Sequence, residues 1–322
     1  MFYNALITGI AGQTGSHLAD YILENHPECR VHGIVRYRSD LSSIDHITNK
    51  IVLHDCDLRD AHNTYKVVKD CLPDVVFHLA ATSFVKTSFY CPAEVLHNNT
   101  ISQINLMEAV IKANRSAMFQ IAGSSEEYGL VHPDETPIKE TNPLRPISPY
   151  AISKVTQENL GYQYHKSYGL KAILTRTFNH TGPRRPEVFV ESSFCKQVAM
   201  IEAGLQEPTI YHGDLSSVRD YTDARDIARA YWLAAENCDV AEPYNICSNT
   251  KFTIGAILDK ILSMSEVKVE KKLDESRLRP SDVTLLHGCA DKFMTQTGWS
   301  PTYGLGQTLE DLLNAWREKL RK

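Results

Sequence analysis

The stretch "LITGIAGQTGSHL" (6–18) decides the fold. Its opening residues are apolar and β-prone, its middle carries Gly9, Gly12 and Gly15, and its end leads into "GSHLADYILENH" (15–26), which has helical spacing. Glycines between a strand and a helix permit a tight turn, close approach of backbone to a pyrophosphate and close helix–strand packing, while the helix N-terminus attracts the anion. The spacing G-x-x-G-x-x-G is weak alone. As the first strand-to-helix turn of an alternating chain, it points to a dinucleotide rather than to a purely structural turn.

The alternation continues through the first half. Strands are predicted at "NALITG" (4–9), "RVHGIVR" (30–36), "IVLHDCD" (51–57), "DVVFHLAA" (74–81), "MFQIAGS" (118–124) and "KAILTRTFN" (171–179). Between them, helical periodicity covers 59–71, 93–113 and 148–169, with Pro27 ending the first helix and Ser148–Pro149 supplying a cap and first turn for the last. This is the pattern of an α/β, Rossmann-like, doubly wound parallel sheet with helices on both faces. After Asn179 the pattern loosens, with a helix at 191–204 and a strand at 209–214. "YTDARDIARAYWLAAEN" (221–237) and "PYNICS" (243–248) then read as a helix and strand returning to the sheet. The expected division is 1–178 with 222–250 as a dinucleotide-binding domain, and 179–221 with 251–322 as a smaller, partly discontinuous substrate domain. The amphipathic "TLEDLLNAWREKL" (308–320) is read as a helix whose apolar face serves packing.

With 322 residues, 43% of them hydrophobic, the chain can bury a substantial core. A formal charge of −5 excludes a general nucleic-acid or anionic-membrane surface, which would need a field of excess Lys and Arg. The eight cysteines form no C-x-x-C pair and sit at no metal-ligand spacing with histidine, so reduced structural thiols and no metal are expected. No apolar run is long enough to span a bilayer, and the N-terminus lacks a basic leader pattern, so a soluble cytoplasmic protein is expected.

The end of the second strand discriminates between nicotinamide cofactors: an acidic residue there bonds ribose hydroxyls, and an Arg accommodates a 2′-phosphate. Roughly twenty residues beyond the glycine turn stands Arg36, followed by Arg38 and Ser39, which favours NADP. Candidates to hold that cofactor are Gly9, Gly12, Gln13, Thr14 and Gly15 in the turn, Arg36, then Asp57 and Leu58 beside the adenine, and Leu79, Ala80 and Ala81 after the fourth strand. Tyr150 and Lys154 in "SPYAISK" (148–154) are four residues apart and share a helix face. An ammonium near a phenol favours phenolate and is expected to lower the tyrosine's pKa. Ser124 joins them from the carboxyl edge of the sheet, where ligands bind in such folds.

"TGIAGQTG" (8–15), "DLRD" (57–60), "FHLAA" (77–81), "SSEEYG" (124–129), "SPYAISK", "FNHTGP" (178–183), "VRDYTDARD" (218–226) and "RPSDV" (279–283) together resemble the extended short-chain dehydrogenases/reductases, nucleotide-sugar branch. Within it, residues 5–23, "VHGIVR" (31–36) and "GPRRPEVFV" (182–190) most resemble GDP-mannose 4,6-dehydratases and their GDP-heptose-acting relatives. The resemblance implies catalytic roles for Ser124, Glu126, Tyr150 and Lys154, with Tyr150 and Lys154 also touching NADP. It implies substrate contacts from Asn179, Arg219 and Arg279, and a homodimer or homotetramer in which helices 93–113 and 149–168 pair across a dimer. Arg184 and Arg185 match residues that lie near a subunit interface in tetrameric relatives.

Glu126 matches the dehydratase base. Glu127 is assigned to loop structure, pointing away from Glu126 if the segment stays extended. Ser125 stands where dTDP-glucose dehydratases carry Asp, which favours a GDP-linked sugar. Glu191, Ser192 and Ser193 replace a basic "TRK"-like stretch and resemble the heptose-acting relatives. The family motif N-x-x-G-T keeps Asn99 but has Ser102 and Gln103 after it, implying a repacked helix there. The implied function is NADP-dependent GDP-sugar 4,6-dehydration; the alternatives are a GDP-4-keto-6-deoxysugar 4-reductase and a non-catalytic NADP-binding regulator.

Overall fold

Seven strands hydrogen-bond into one parallel sheet in the computed structural model, which describes residues 1–278 and 283–321. The first half runs β1 (Asn4–Thr8), α1 (Gln13–Asn25), β2 (Arg30–Val35), β3 (Val52–Asp55), α2 (Ala61–Cys71), β4 (Val75–His78), α3 (Val85–Tyr90), α4 (Pro92–Asn114), β5 (Met118–Ser124), α5 (Pro149–Tyr168) and β6 (Lys171–Thr177). Beyond it come β7 (Asn179–Thr181), α6 (Val190–Glu202), β8 (Thr209–His212), β9 (Val218–Arg219), β10 (Tyr221–Asp223), α7 (Ala224–Asn237) and β11 (Pro243–Ile246). The rest comprises β12 (Phe252–Thr253), α8 (Ile254–Leu262), β13 (Glu270–Leu273), β14 (Leu285–Leu286), α9 (Asp291–Thr297) and α10 (Leu305–Arg321).

The sheet order is β11-β6-β5-β4-β1-β2-β3. Because β1 pairs with β2 on one side and β4 on the other, the connections leaving it diverge and open a crevice at their carboxyl ends. Strand alternation sorts the core: Ala5 and Ile7 of β1 face one layer, where α1 and α7 contribute Leu18, Ile22, Ile227 and Trp232. Leu6 faces the other, against Val67, Leu106, Val110 and Tyr164 from α2, α4 and α5. Both faces are thus covered, which is why the strands read as continuous apolar runs.

A third core joins α6, α8 and α10 through Phe194, Leu258, Leu309, Leu313 and Trp316, and the indole N–H of Trp316 donates to Ser192 Oγ at 2.9 Å. Phe293 and Trp299 from the C-terminal part instead pack with Trp232 and Tyr244 in the first layer, tying the end of the chain back to the sheet. Among the described residues, no helix is long and apolar enough to cross a membrane.

Candidate active site

The glycine turn is tight for a steric reason. Gly9 has φ +67°, its carbonyl accepts from Gly12 N–H at 2.9 Å, and a Cβ on Gly15 would lie 2.4 Å from that same oxygen. No side chain caps α1, so its first N–H groups stay free to meet a phosphate. Gly9, Gly12, Arg36, Asp57, Leu58 and Ala80 border a cavity of about 370 Å³, with Ala81 and Ser39 also on its wall. A chelate of Arg59 on Asp57 at 2.7–3.1 Å holds that carboxylate below its usual range, and Arg36 adds to the effect. Leu79 and Ala80 donate their N–H groups to Thr8 Oγ1, which pins the end of β4 against β1. A short backbone turn, a free helix N-terminus and an arginine at the end of β2 fit a phosphorylated dinucleotide. Gln13 and Thr14 line the adjoining cavity that also holds Tyr150, and their side chains reach the far wall: Gln13 Nε2 donates to Gly182 O at 3.0 Å, and Thr14 Oγ1 meets His180 Nε2 at 3.1 Å.

Ser124, Glu126, Tyr150 and Lys154 line an adjoining cavity of about 350 Å³ together with Gly12 and Asn179. Ser124 ends β5, in register with Thr177 of β6, and its Oγ accepts from Glu126 N–H at 3.2 Å. Tyr150 and Lys154 come from α5, whose start is set by Ser148 Oγ accepting from Ala151 N–H and by Pro149 at the first position. Lys154 Nζ donates to Ala122 O at 2.7 Å and lies 5.8 Å from the Tyr150 ring centre. Burial lowers Lys154 to about 8, opposed by Glu127. The phenol of Tyr150 departs from the expectation: its pKa is raised, because burial and then Glu126 outweigh a hydrogen bond with Ser124. Lysine alone does not bring this tyrosine down; its ammonium is committed to the Ala122 carbonyl.

The segment after Ser124 also departs from an extended course. Ser125–Glu127 forms a 3₁₀ turn in which Ser124 and Glu127 make a reciprocal capping box. Glu126 stays half-buried on the cavity wall. Glu127 is no loop residue: it is completely buried, with Oε1 accepting Ser124 N–H at 2.7 Å. The sequence carried the signal in its S-x-x-E spacing. Behind α5, Asn99 accepts from Thr82 N–H at 2.8 Å and donates to Ser153 Oγ at 2.9 Å. Gln103, at the threonine position of that motif, donates to Gln157 O at 2.7 Å and so makes a bond between the two helices.

A third cavity, of about 510 Å³, lies on the small core and shares Asn179, Arg185 and Phe189 with the reactive one. Arg219 and Asn179 line it; Arg279 lies outside the described residues. The sequence-based set missed Lys86, Ser193 and Arg277, which share the wall. Arg277 Nη1 donates to Ser193 Oγ at 3.1 Å, and its only sequence cue was its place two residues before Arg279. Arg184 and Arg185 have partners within the same chain. Arg184, at φ +66°, donates to Asp20 at 2.7 Å, while Arg185 bonds Glu191 at 3.0 Å and Gln13 Oε1 at 3.1 Å and lies over the Phe189 ring. Glu191, found where a basic stretch was missing, is therefore a buried counter-ion that aims Arg185 between the cavities.

A profile of the GDP-mannose 4,6 dehydratase family matches residues 6–312. The chain is 31% identical to a GDP-mannose 4,6-dehydratase of Vibrio cholerae, over 99% of this chain and 96% of that one. It is 29% identical to a GDP-6-deoxy-D-mannose reductase of Pseudomonas aeruginosa, each chain covered in full. The solved structure of RMD from Pseudomonas aeruginosa complexed with NADPH superposes with a TM-score of 0.86 at 27% identity, covering 98% of this chain and 99% of that one.

Proposed function

Since the chain belongs to the GDP-mannose 4,6-dehydratase family, we propose that it is an NADP-dependent GDP-sugar 4,6-dehydratase, converting a GDP-hexose or GDP-heptose to its 4-keto-6-deoxy form. The observation carrying this is the presence of Glu126 on the wall that also holds Ser124, Tyr150, Lys154 and the glycine turn. A reductase or epimerase needs proton exchange at one oxygen; a dehydratase needs, in addition, a base for carbon 5 and an acid for the departing hydroxyl.

The glycine turn, Arg36, Asp57, Leu58 and Leu79–Ala81 would hold NADP, with Tyr150 and Lys154 on its reactive side. Bound there, NADP would supply the hydride chemistry, a sink for hydride from carbon 4 and its source for carbon 6. Tyr150 would act as its phenolate, a form that burial opposes in the unliganded site and that the positive charge of the oxidised coenzyme together with Lys154 would favour; it would take the proton of the carbon-4 hydroxyl, with Ser124 bonding the same oxygen. The resulting ketone acidifies carbon 5. Glu126 would remove that proton and deliver it to the hydroxyl leaving carbon 6 as water, so one carboxyl serves both halves of the elimination; as hydride reaches carbon 6, carbon 5 takes up a proton, matched by the one Tyr150 gives back. Asn179, Arg219 and Arg277 line the cavity for the nucleoside diphosphate, where planar guanidinium groups suit phosphate oxygens. The assembly proposed is a dimer or tetramer, and the compartment the cytoplasm.

A second assignment, GDP-4-keto-6-deoxysugar reductase, is favoured by the full-length match to the Pseudomonas aeruginosa enzyme. Cofactor accounting separates the two. Purified protein incubated with GDP-mannose and a trace of NADP should release a product lighter by one water with no net change in NADPH absorbance. Consumption of NADPH in proportion to a 4-keto-6-deoxy substrate, with no water lost from GDP-mannose, would instead establish the reductase. Inertness in both assays would leave a binding protein.

A further inference from the structure

Glu127 is a buried carboxylate that the chemistry above does not use. Its Oε1 is bound to Ser124 N–H, while its Oε2 is buried with no hydrogen-bond partner and lies 4.0 Å from Arg176 Nε. That arginine is already engaged. Glu158 takes two of its bonds at 2.8 and 2.6 Å, and its remaining group donates to Tyr128 Oη and Glu140 O at 3.0 Å.

With Arg176 balanced by Glu158, the remaining opposite charges in this pocket are Glu127 and Lys154. Both fasten the same three residues at the end of β5. Lys154 Nζ holds the carbonyl of Ala122, Glu127 holds the amide of Ser124, and a Cβ on the intervening Gly123 would lie 2.5 Å from Glu127 Oε1. The ionisable groups facing Glu127 are Tyr150, Lys154 and Glu158 from α5, Arg176 from β6, and Tyr128 from its own segment. β5 contributes none.

We propose that Glu127 is a positioning residue for the reaction, the buried counter-charge that keeps the Lys154 ammonium protonated beneath Tyr150 and seated on the Ala122 carbonyl. The proposal rests on the role assigned to Lys154 above. Burial and then Glu158 raise Glu127, which the Ser124 amide, Arg176 and Lys154 draw back down; burial lowers Lys154, and Glu127 is the charge that draws it back up. Removing the carboxylate leaves only the burial effect on Lys154, whose proton is then lost at lower pH.

Glu127→Gln is the direct test, because the amide oxygen can still accept from Ser124 N–H and preserve the cap. In the full enzyme with ¹³Cε-labelled lysine, the Lys154 titration midpoint, assigned by its absence in Lys154→Met, should fall by about one pH unit or more. The alkaline limb of kcat should move with it, while KM for the nucleotide sugar stays put. A wild-type midpoint and profile in folded Glu127→Gln would reduce the residue to a structural cap and overturn the proposal. Should that variant not fold, the reciprocal shift is read in Lys154→Met, where loss of the ammonium should raise the Glu127 midpoint followed by ¹³Cδ-labelled glutamate; an unchanged Glu127 midpoint there also overturns it. The midpoint is read without turnover, so a failure of the dehydratase assignment would be seen separately, as absence of water loss.

Discussion

Glu126 and Arg36 each turn a local environment into a chemical choice. Glu126 sits half-buried on the wall of the reactive cavity, two residues beyond Ser124, whose hydroxyl receives its backbone N–H. Glu126→Gln keeps the size and polarity of the side chain but cannot exchange a proton with carbon 5. NADPH affinity should be unchanged by calorimetry, while dehydration falls by roughly 10²- to 10⁴-fold, the range for loss of a general acid–base group. Arg36 stands at the mouth of the adenine-side cavity, with its backbone N–H donating to Ser39 Oγ at 3.0 Å. Arg36→Ala should weaken NADPH binding by roughly tenfold to a hundredfold, the worth of a charge-assisted bond, and leave NADH affinity nearly untouched. Equal losses for both coenzymes would show that Arg36 does not meet the 2′-phosphate.

At the scale of elements, the glycine turn is the most demanding piece. Gly15→Ala places a Cβ 2.4 Å from Gly9 O, so either α1 or the turn must shift. The expected cost is about 1–3 kcal/mol, typical of forced overpacking, seen as a lower Tm together with weaker NADPH binding. The strands β1 to β6 were legible because a sheet covered on both faces demands unbroken apolar runs, and α5 because Ser148–Pro149 is a cap in itself. The 3₁₀ turn at Ser125–Glu127 was missed since an apolar strand leading into "SSEEYG" suggests continued extension. The short-range capping pair of Ser124 and Glu127 won over strand propagation, and in doing so buried Glu127 rather than exposing it. The tyrosine's raised pKa was equally hidden: helix spacing tells which side chains share a face, but not how deeply the phenol is buried or that the lysine ammonium donates to Ala122 O.

Across the whole molecule, the reactive groups stand on the sheet's carboxyl edge and the guanidinium groups of the third cavity come from the smaller core, so under the proposed function the nucleotide sugar would span two packed units. Arg277→Ala removes a partly exposed arginine from the nucleotide cavity without touching the reactive wall. KM for the GDP-sugar should rise by about tenfold or more, with NADPH affinity and Tm unchanged. An effect on NADPH instead would mean the two cavities are not divided between substrate and cofactor. This division was only partly legible. Motif order pointed to Arg219, whereas Arg277, Lys86 and Ser193 meet through folding of segments far apart in the chain, which no local pattern records. The same is true of Phe293 and Trp299, which lie in the C-terminal part yet complete the first core.

The central claim is that one sugar is oxidised and reduced within a single turnover, with Glu126 carrying the proton between. GDP-mannose deuterated at carbon 4, turned over with unlabelled NADP and analysed by NMR, tests it most directly. The account predicts a 4-keto product that has lost water and carries the deuterium at carbon 6. Product lacking deuterium at carbon 6, or water loss undiminished in Glu126→Gln, would contradict it.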